Sequence, residues 1–493
     1  MSSHGDIVFR VDGDANLGLG HVMRCLTLAR VFKQAGFNIL FICSADSAAA
    51  GHHIENSQLQ IAYLAPAAHA EDDAEQCLLI VQNLDVYLLV VDHYRLDRRW
   101  EEKMRARPCK LMVIDDLADR PHSCDFLLDS SYGRQPEEYQ ALTHADCRYL
   151  LASDYCLLRP EFKRLAAQAR LKRQQTLAIN NILINFGATD HQRQSLHCID
   201  LLKKLKFSGE IHVLISSSCQ WLAELSEACA GSSQLSLHVD AANVAALMLA
   251  ADLAIGSVGS SSWERCCLGL PCIGMVVADN QKNIASQLAR LGVMELVTLS
   301  DLEKILRAYV RNFQREKWQC MAHKAFKVCD GLGAERVKNA VLASQPNIRL
   351  RPMDKQDEST LFSWQCEAGN RKYSGTAQPP SLAEHAAWYA SALNDASRRM
   401  WLVMFNGDEC GYVRLDVRSA QGVERKLEEV SVLISQKYRK LGLAHGAITE
   451  LKKRCLFGVM DAQVAADNRA SLCLFNGLGF KKIANNRLRW SAP

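Results

Sequence analysis

Asn16-Leu17-Gly18-Leu19-Gly20-His21-Val22-Met23-Arg24 decides how this chain is read. The apolar run Ile7-Val8-Phe9 before it reads as a buried strand. After it, Val22, Cys25, Leu26, Leu28, Ala29, Val31 and Phe32 recur at helical spacing. Glycines between a strand and a helix let the backbone turn sharply and come close to a ligand. The free N–H groups of the new helix then favour negative charge. His21 falls in the first turn, where the helix end disfavours an imidazolium, so a neutral, proton-accepting ring is expected. Gly18-Leu19-Gly20 lacks the third glycine of a dinucleotide fingerprint. A plain tight turn is therefore the competing reading, and the surrounding chain has to decide.

Outward from this stretch, strands and helices alternate up to about residue 160. Further apolar strands are predicted over 38–43, 85–92, 111–114 and 126–128. Continuous apolar strands separated by helices imply a parallel sheet covered on both faces. Ligands bind beyond the carboxyl ends of such strands, and His21, Asp92-His93-Tyr94 and Asp115-Asp116 all fall there. A basic, polar helix over 163–175 reads as a bridge. A second alternating unit follows, with strands over 181–186, 211–215, 252–255 and 272–276. Its loop Gly256-Ser257-Val258-Gly259-Ser260-Ser261-Ser262 exposes backbone N–H groups and opens a helix, which suits a diphosphate. Glu264, one turn in, is placed to accept ribose hydroxyls; a serine-rich cap with a favourably sited glutamate is the plainer reading. Two Rossmann-like halves, 1–160 and 161–342, describe the GT-B arrangement of nucleotide-sugar enzymes.

The 493 residues suggest about three domains. A net charge of +4 without long Lys/Arg runs gives no sign of a nucleic-acid partner. The 19 cysteines are scattered through apolar segments with no C-x-x-C pair and no zinc-like spacing, as expected of thiols in a reducing compartment. No signal peptide and no apolar run of about 18 residues is seen, so a cytoplasmic protein without membrane insertion is expected.

Arg10-x-Asp12, Gly18-x-Gly20-His21-x-x-Arg24, Asp92-His93-Tyr94, Ile114-Asp115-Asp116, Tyr155-x-Leu157-Leu158-Arg159-Pro160-Glu161-Phe162, Gly259-Ser260-Ser261-Ser262-Trp263-Glu264-Arg265 and Asp279-Asn280-Gln281 occur in that order. This set resembles the UDP-sugar hydrolases of pseudaminic acid biosynthesis (PseG-like), over roughly residues 5–340. The resemblance implies a metal-independent hydrolase related to MurG. Such an enzyme releases UDP from UDP-2,4-diacetamido-2,4,6-trideoxy-beta-L-altropyranose. It implies His21 as general base, Glu264 on the ribose and the glycine-rich loops on the diphosphate. Asp12, Gly20, Arg24, Tyr94, Gly187, Gly259, Ser260, Asn280 and Gln281 are the remaining expected substrate and UDP contacts. Gly187-Ala188 departs from the Gly-Gly common in that family.

From Ile348 the chain changes character. Asn406-Gly407-Asp408 between two apolar runs is a hairpin signal, and Val430-Ser431-Val432-Leu433-Ile434 reads as a strand. Gln436-Lys437-Tyr438-Arg439-Lys440-Leu441-Gly442-Leu443-Ala444 then opens a helix, again a setting for a pyrophosphate. With Asp467-Asn468 and Phe475-Asn476-Gly477-Leu478-Gly479-Phe480, these motifs resemble the GNAT acetyltransferases over roughly residues 347–490, an α+β domain. The resemblance implies acetyl-CoA held by Arg439, Lys440, Gly442, Ala444 and Asn468. Phe475 stands where that family usually has a proton-donating tyrosine. Glu428 and Glu429, just ahead of the strand, are candidates for base work, with Glu429 preferred; a solvated strand edge is the alternative. Arg351-Pro352, Glu384-His385-Ala386-Ala387-Trp388-Tyr389 and Arg414-Leu415-Asp416 resemble the GNAT subgroup that acetylates the 4-amino group of a UDP-linked sugar, the step before hydrolysis. The expectation is thus an α/β GT-B-like pair of Rossmann-type domains followed by a GNAT domain at 347–493. Its ligands would be a UDP-linked amino sugar, UDP and acetyl-CoA, with no metal. A glycosyltransferase, or a nucleotide-sugar sensor with a protein-modifying GNAT domain, fits the same residues.

Overall fold

The computed structural model describes residues 5–13, 20–107, 109–342, 348–367, 370–373, 378–405, 407–419, 426–439 and 442–492. Gly18, Lys440 and the expected linker at 343–347 lie outside the described residues, as does the side chain of Asn280.

The chain divides into two compact units, Met1–Val337 and Lys338–Pro493. In the first, seven parallel strands form one sheet: β1 (Asp6–Val11), β2 (Asn38–Ser44), β3 (Gln60–Leu64), β4 (Val86–Asp92), β5 (Lys110–Ile114), β6 (Phe126–Asp129) and β7 (Arg148–Leu151). Their order is β3-β2-β1-β4-β5-β6-β7. A second parallel sheet holds β8 (Asn181–Asn185), β9 (Glu210–Ile215), β10 (Leu235–Val239), β11 (Leu253–Ser257), β12 (Cys272–Met275) and β13 (Met294–Leu296), ordered β10-β9-β8-β11-β12-β13. Central strands are apolar throughout because helices cover both faces; Val8, Leu89, Val91, Leu111 and Val113 share one core cluster. Strand order reverses between β1 and β4 and again between β8 and β11, and a crevice opens at each reversal.

The sequence reading omits β3, β7, β10 and β13, which are the four outer strands of these sheets. An edge strand has one open side, so β3 and β10 carry exposed and half-buried residues and no continuous apolar run. The bridging helix runs Pro160–Gln175, with Pro160 in its first turn. Its Arg173 is buried and donates to the carbonyls of Met248 (3.0 Å), Ala251 (2.5 Å) and Leu268 (3.3 Å), which ties the bridge to the second sheet's helices.

The second unit holds one sheet of seven strands: β14 (Ile348–Pro352), β15 (Arg398–Phe405), β16 (Asp408–Ser419), β17 (Lys426–Ile434), β18 (Val459–Gln463), β19 (Lys481–Ala484) and β20 (Arg487–Ser491). The order is β14-β15-β16-β17-β18-β20-β19. The predicted hairpin is present, with Phe405 opposite Asp408. β17 begins earlier than predicted, so Glu428 and Glu429 lie within the strand and not ahead of it. β17 and β18 run parallel and, among the described residues, pair at Glu428–Met460 and Glu429–Asp461 alone, so the ladder between them ends after Glu429. Among the described residues no helix is long and apolar enough to cross a membrane.

Candidate functional site

His21 stands at the start of the helix Gly20–Gln34, directly after β1, and Asp92 ends β4. The strand-order reversal therefore puts the two side chains together: His21 Nδ1 donates to Asp92 Oδ1 at 2.5 Å. Arg24, one turn along, donates from Nε to Asp92 Oδ2 at 2.6 Å and from Nη2 to Oδ1 at 2.6 Å. Burial alone would push the Asp92 carboxyl up, but Arg24 and His21 outweigh it and hold it well below the usual carboxylate range. Arg24 Nη2 also lies 3.1 Å from His21 Nδ1, so this group engages Nδ1 and Nε2 is the ring nitrogen outside it. Tyr94 packs edge-on against His21, with 4.8 Å between ring centroids, and its hydroxyl donates to Asp116 Oδ1 at 2.9 Å. Arg24 Nη1 reaches the other oxygen of Asp116 at 3.1 Å.

Asp12 stands apart from this group. Its carboxylate accepts from Arg10 at 2.7 and 2.9 Å and from the Ser44 amide at 2.7 Å, and it lies 3.1 Å from His93 Nε2. Arg10 is 2% exposed and is also held by Asp73. Expected among the substrate contacts, Asp12 is instead committed to the buried network that fixes the β1, β2 and β4 ends. His93 belongs to the same network and not to the rim, since its Nδ1 accepts from the Arg95 amide at 3.1 Å. Asp115 is likewise engaged, by Tyr139, Ala118 and Arg120.

The second lobe faces this group with its serine loop. A Cβ placed on Gly20 would lie 3.9 Å from Ser260 Oγ, and one on Gly259 would lie 4.0 Å from Gln281 Nε2. Gln281 is oriented by accepting from the Val277 amide at 3.1 Å. Beneath the loop, Arg265 is 2% exposed and donates to the carbonyl of Ser257 (2.6 Å) and to Ser262 Oγ (3.0 Å). Among the described residues it has no ion-pair partner, so a buried positive charge underlies the loop. Gly187, at φ +94°, has nothing within 4 Å of a would-be Cβ. The helix after it, Gln194–Lys204, has its first N–H groups bound by Asp190, to Gln194 at 2.9 Å and to Ser195 at 2.8 Å. An anion has no open helix end there. Glu264 accepts from Arg159 Nη2 at 3.2 Å, and burial pushes its carboxyl up against the pull of Arg159 and Arg265. Asp92, Arg159 and Arg265 stand inside sequence motifs that by themselves assign them no individual role. Their significance depends on burial and on partners distant in sequence.

In the second unit, Gly442 adopts φ +75° at the N-cap of the helix Leu443–Lys452, with open space at its Cβ position. Among the described residues no side-chain cap of this helix is seen, and Ala444 lies in its first turn. Arg439 donates from Nε to the Ile434 carbonyl at 3.2 Å, closing the turn out of β17. Glu367 accepts from Ser435 Oγ (2.8 Å) and the Gln436 amide (2.9 Å), so it orders the same turn. Asn468 caps the helix Arg469–Gly477 by accepting from the Ser471 amide at 3.1 Å. Phe475 is buried against Phe480, 5.0 Å between centroids, as part of the core. Glu428 is wholly buried, bound by Arg399 and by the Leu456 amide, and is structural. Glu429 points to the opposite face, 3.8 Å from both Arg418 and Arg487. On that face Arg398, Asp416, Glu429, Asp461 and Arg489 stand directly opposite one another across five strands.

Four likenesses bear on these two sites. The UDP-2,4-diacetamido-2,4,6-trideoxy-beta-L-altropyranose hydrolase of Campylobacter jejuni is 27% identical over 288 residues, 58% of this chain and 97% of its own. Residues 347–481 match the acetyltransferase (GNAT) domain model. The chain joins a homologue of that hydrolase to a GNAT domain. An uncharacterized protein of Methanocaldococcus jannaschii is 21% identical over 494 residues, 98% of each chain, so the likeness spans both parts. The crystal structure of MurG from Acinetobacter baumannii, 13% identical, aligns with a TM-score of 0.50 over 69% of this chain and 99% of its own. At that identity it bears on the fold alone: the N-terminal part is a GT-B-like pair of Rossmann-type halves.

Proposed function

We propose that this chain is an enzyme with two activities in sequence. Its GNAT domain transfers an acetyl group from acetyl-CoA to the 4-amino group of a UDP-linked amino sugar. The GT-B-like part then hydrolyses UDP-2,4-diacetamido-2,4,6-trideoxy-beta-L-altropyranose to the free sugar and UDP.

The observation that carries the hydrolase is the buried Asp92–His21 pair, next to Gly20, which approaches Ser260 of an uncapped serine loop over a buried arginine. A water bound at Nε2 gives its proton to His21 and bonds to C1 of the sugar. The bond from C1 to the UDP oxygen breaks, and the charge left on the diphosphate is met by the N–H groups of the 256–262 loop and by the field of Arg265. Asp92 stabilises the imidazolium while it lasts. Glu264 accepts from the ribose, and Gln281 and Gly259 border the diphosphate. Tyr94 and Arg24 shape the sugar side.

In the GNAT domain, the pyrophosphate of acetyl-CoA lies on the open N-terminus after Gly442, and its pantetheine arm enters where β17 and β18 cease to pair. Glu429 takes a proton from the acceptor ammonium, the amine attacks the thioester carbonyl, and the thiolate of coenzyme A leaves. Arg398, Arg414, Arg418, Arg487 and Arg489 outnumber the carboxylates Asp416, Glu429 and Asp461 on that face. The surplus of positive charge favours an acceptor with its own phosphates. Arg439, Ala444 and Asn468 border the coenzyme.

The test is incubation of the chain with acetyl-CoA and the UDP-4-amino sugar in ¹⁸O-water. The expected products are coenzyme A, the doubly acetamidated free sugar carrying ¹⁸O at C1, and unlabelled UDP. Label in UDP, or release of UDP only with an added acceptor alcohol, would exclude the hydrolase mechanism.

A further inference from the structure

Arg159 lies at the crossover between the two lobes, at the N-cap of the helix Pro160–Gln175. Its guanidinium is held on three sides. Nη2 donates to Glu264 Oε1 at 3.2 Å, Nε lies 3.4 Å from Glu161 Oε1, and the group stands 5.3 Å from the centroid of the buried Phe162 ring. Stacking on a fixed ring and pairing with a residue on its own helix leave it little rotational freedom. Glu264 belongs to the other lobe's short helix, Ser261–Cys267. Its Oε2 has no hydrogen-bond partner among the described residues, and its Oε1 has this one.

We infer that Arg159 is a positioning residue for nucleotide recognition, fixing one oxygen of Glu264 so that the other is presented, ionised, to a ribose diol. This rests on the reading of the hydrolase part as a UDP site. A carboxylate that must accept from two hydroxyls needs both its charge and a set rotamer, and burial works against the charge. Among the described residues, the charged groups facing Glu264 are Arg159 and Glu161 from the crossover side and Arg265 from its own helix. Arg265 is committed to the Ser257 carbonyl and Ser262, which leaves Arg159 as the cation that touches the carboxylate. Glu161 is a like charge, so loss of Arg159 leaves Glu264 beside a repulsive neighbour. The arrangement also makes sugar recognition depend on the crossover, because the cation sits on the segment that joins the lobes and the anion on the second lobe.

The test is calorimetric titration of the full chain with UDP and with 2′-deoxy-UDP from pH 5 to 8, for wild type, Arg159→Gln, Arg159→Lys and Glu264→Gln. Wild type is expected to prefer UDP. Arg159→Gln weakens UDP about tenfold, the scale of one charge-assisted hydrogen bond, while 2′-deoxy-UDP changes little, so the preference collapses. The pH at which UDP affinity falls off on acidification moves up in Arg159→Gln, because Glu264 is neutralised sooner. Arg159→Lys restores part of both, and Glu264→Gln loses the preference at every pH. Equal weakening of the two nucleotides with an unmoved pH profile would mark Arg159 as merely structural and overturn the inference, as would no change in Arg159→Gln. Failure of wild type to bind UDP overturns the nucleotide reading itself and this inference with it; normal wild-type binding with an unaffected Arg159→Gln overturns the role of Arg159 alone.

Discussion

His21 depends on the partner of its other nitrogen. The 2.5 Å contact from Nδ1 to Asp92 fixes the tautomer in which Nε2 accepts a proton. His21→Ala removes the proposed base and should lower UDP release by roughly 10²–10⁴ while UDP still binds. Asp92→Asn is the more discriminating change. Its amide offers a carbonyl or an N–H to Nδ1, and the second choice puts the proton on Nε2, where it blocks the reaction. Turnover should fall by roughly the same 10²–10⁴ with UDP affinity nearly unchanged, read by single-turnover kinetics beside calorimetry. Near-normal turnover in a folded Asp92→Asn chain would end the assignment of Nε2 as base. Sequence made His21 legible because a histidine after a glycine-rich turn advertises its place on a helix. It left Asp92 as one of several acidic residues on a rim. Which of them meets His21 is decided by strand order, and Asp12 and Asp115, equally acidic and equally at strand ends, turn inward to Arg10 and Tyr139 instead.

At the level of elements, the parallel strands at sheet centres were legible from apolar runs, and their outer neighbours were not. A central strand must be apolar on both faces, whereas β3 and β10 answer to solvent on one side. A buried ionic network ties the ends of β1 and β2 together. Asp73→Asn removes a carboxylate from Arg10, which also pairs with Asp12 and is 2% exposed. Breaking a buried pair from one side costs about 3–5 kcal/mol, and urea denaturation should read that loss. The network also sets an acid limit. Burial raises and His93 and Arg10 lower the Asp12 carboxyl, with the net well below its ordinary value, and Asp92 is lowered as well. Folded-state values below the unfolded ones mean that this stability is fully present above about pH 4. It is lost progressively as the pH falls below that. Melting temperature measured from pH 7 down to pH 3 should drop on the acid side, and less steeply in Asp73→Asn than in wild type if the network is already broken. In the second unit the telling element is the helix after Gly442. A carboxylate there would set a negative charge beside the first-turn N–H groups, at a left-handed φ that aspartate tolerates better than most side chains, so Gly442→Asp should abolish acetyl-CoA binding with only local strain. Retained binding in calorimetry would move the pyrophosphate elsewhere.

For the whole molecule, the question is whether the two reactions need each other's residues. Every group read as acting in hydrolysis lies between Gly20 and Gln281, inside Met1–Val337, and every group read as acting in acetyl transfer lies inside Lys338–Pro493. The division falls within the helix Gly333–Leu342, whose Arg336 donates to the Asp154 carbonyl at 2.8 Å and to Asp330. That helix is anchored in the hydrolase part, so a cut belongs after Leu342 and not at the change of contacts. The sequence composition points to the same place, at Ala343-Ser344-Gln345-Pro346-Asn347, because proline and small polar residues interrupt a helix. Residues 1–342 should hydrolyse the acetylated UDP-sugar with no acetyl-CoA present, at the rate of the full chain. Residues 348–493 should bind acetyl-CoA and acetylate the UDP-4-amino sugar without the hydrolase. Mixing the pieces should then reproduce the two-step conversion, with the intermediate accumulating in solution if nothing holds it between sites. If residues 1–342 fold yet hydrolyse only when the second piece is added back, a catalytic group is supplied across the linker, and the assignment of the water's base to His21 alone is incomplete.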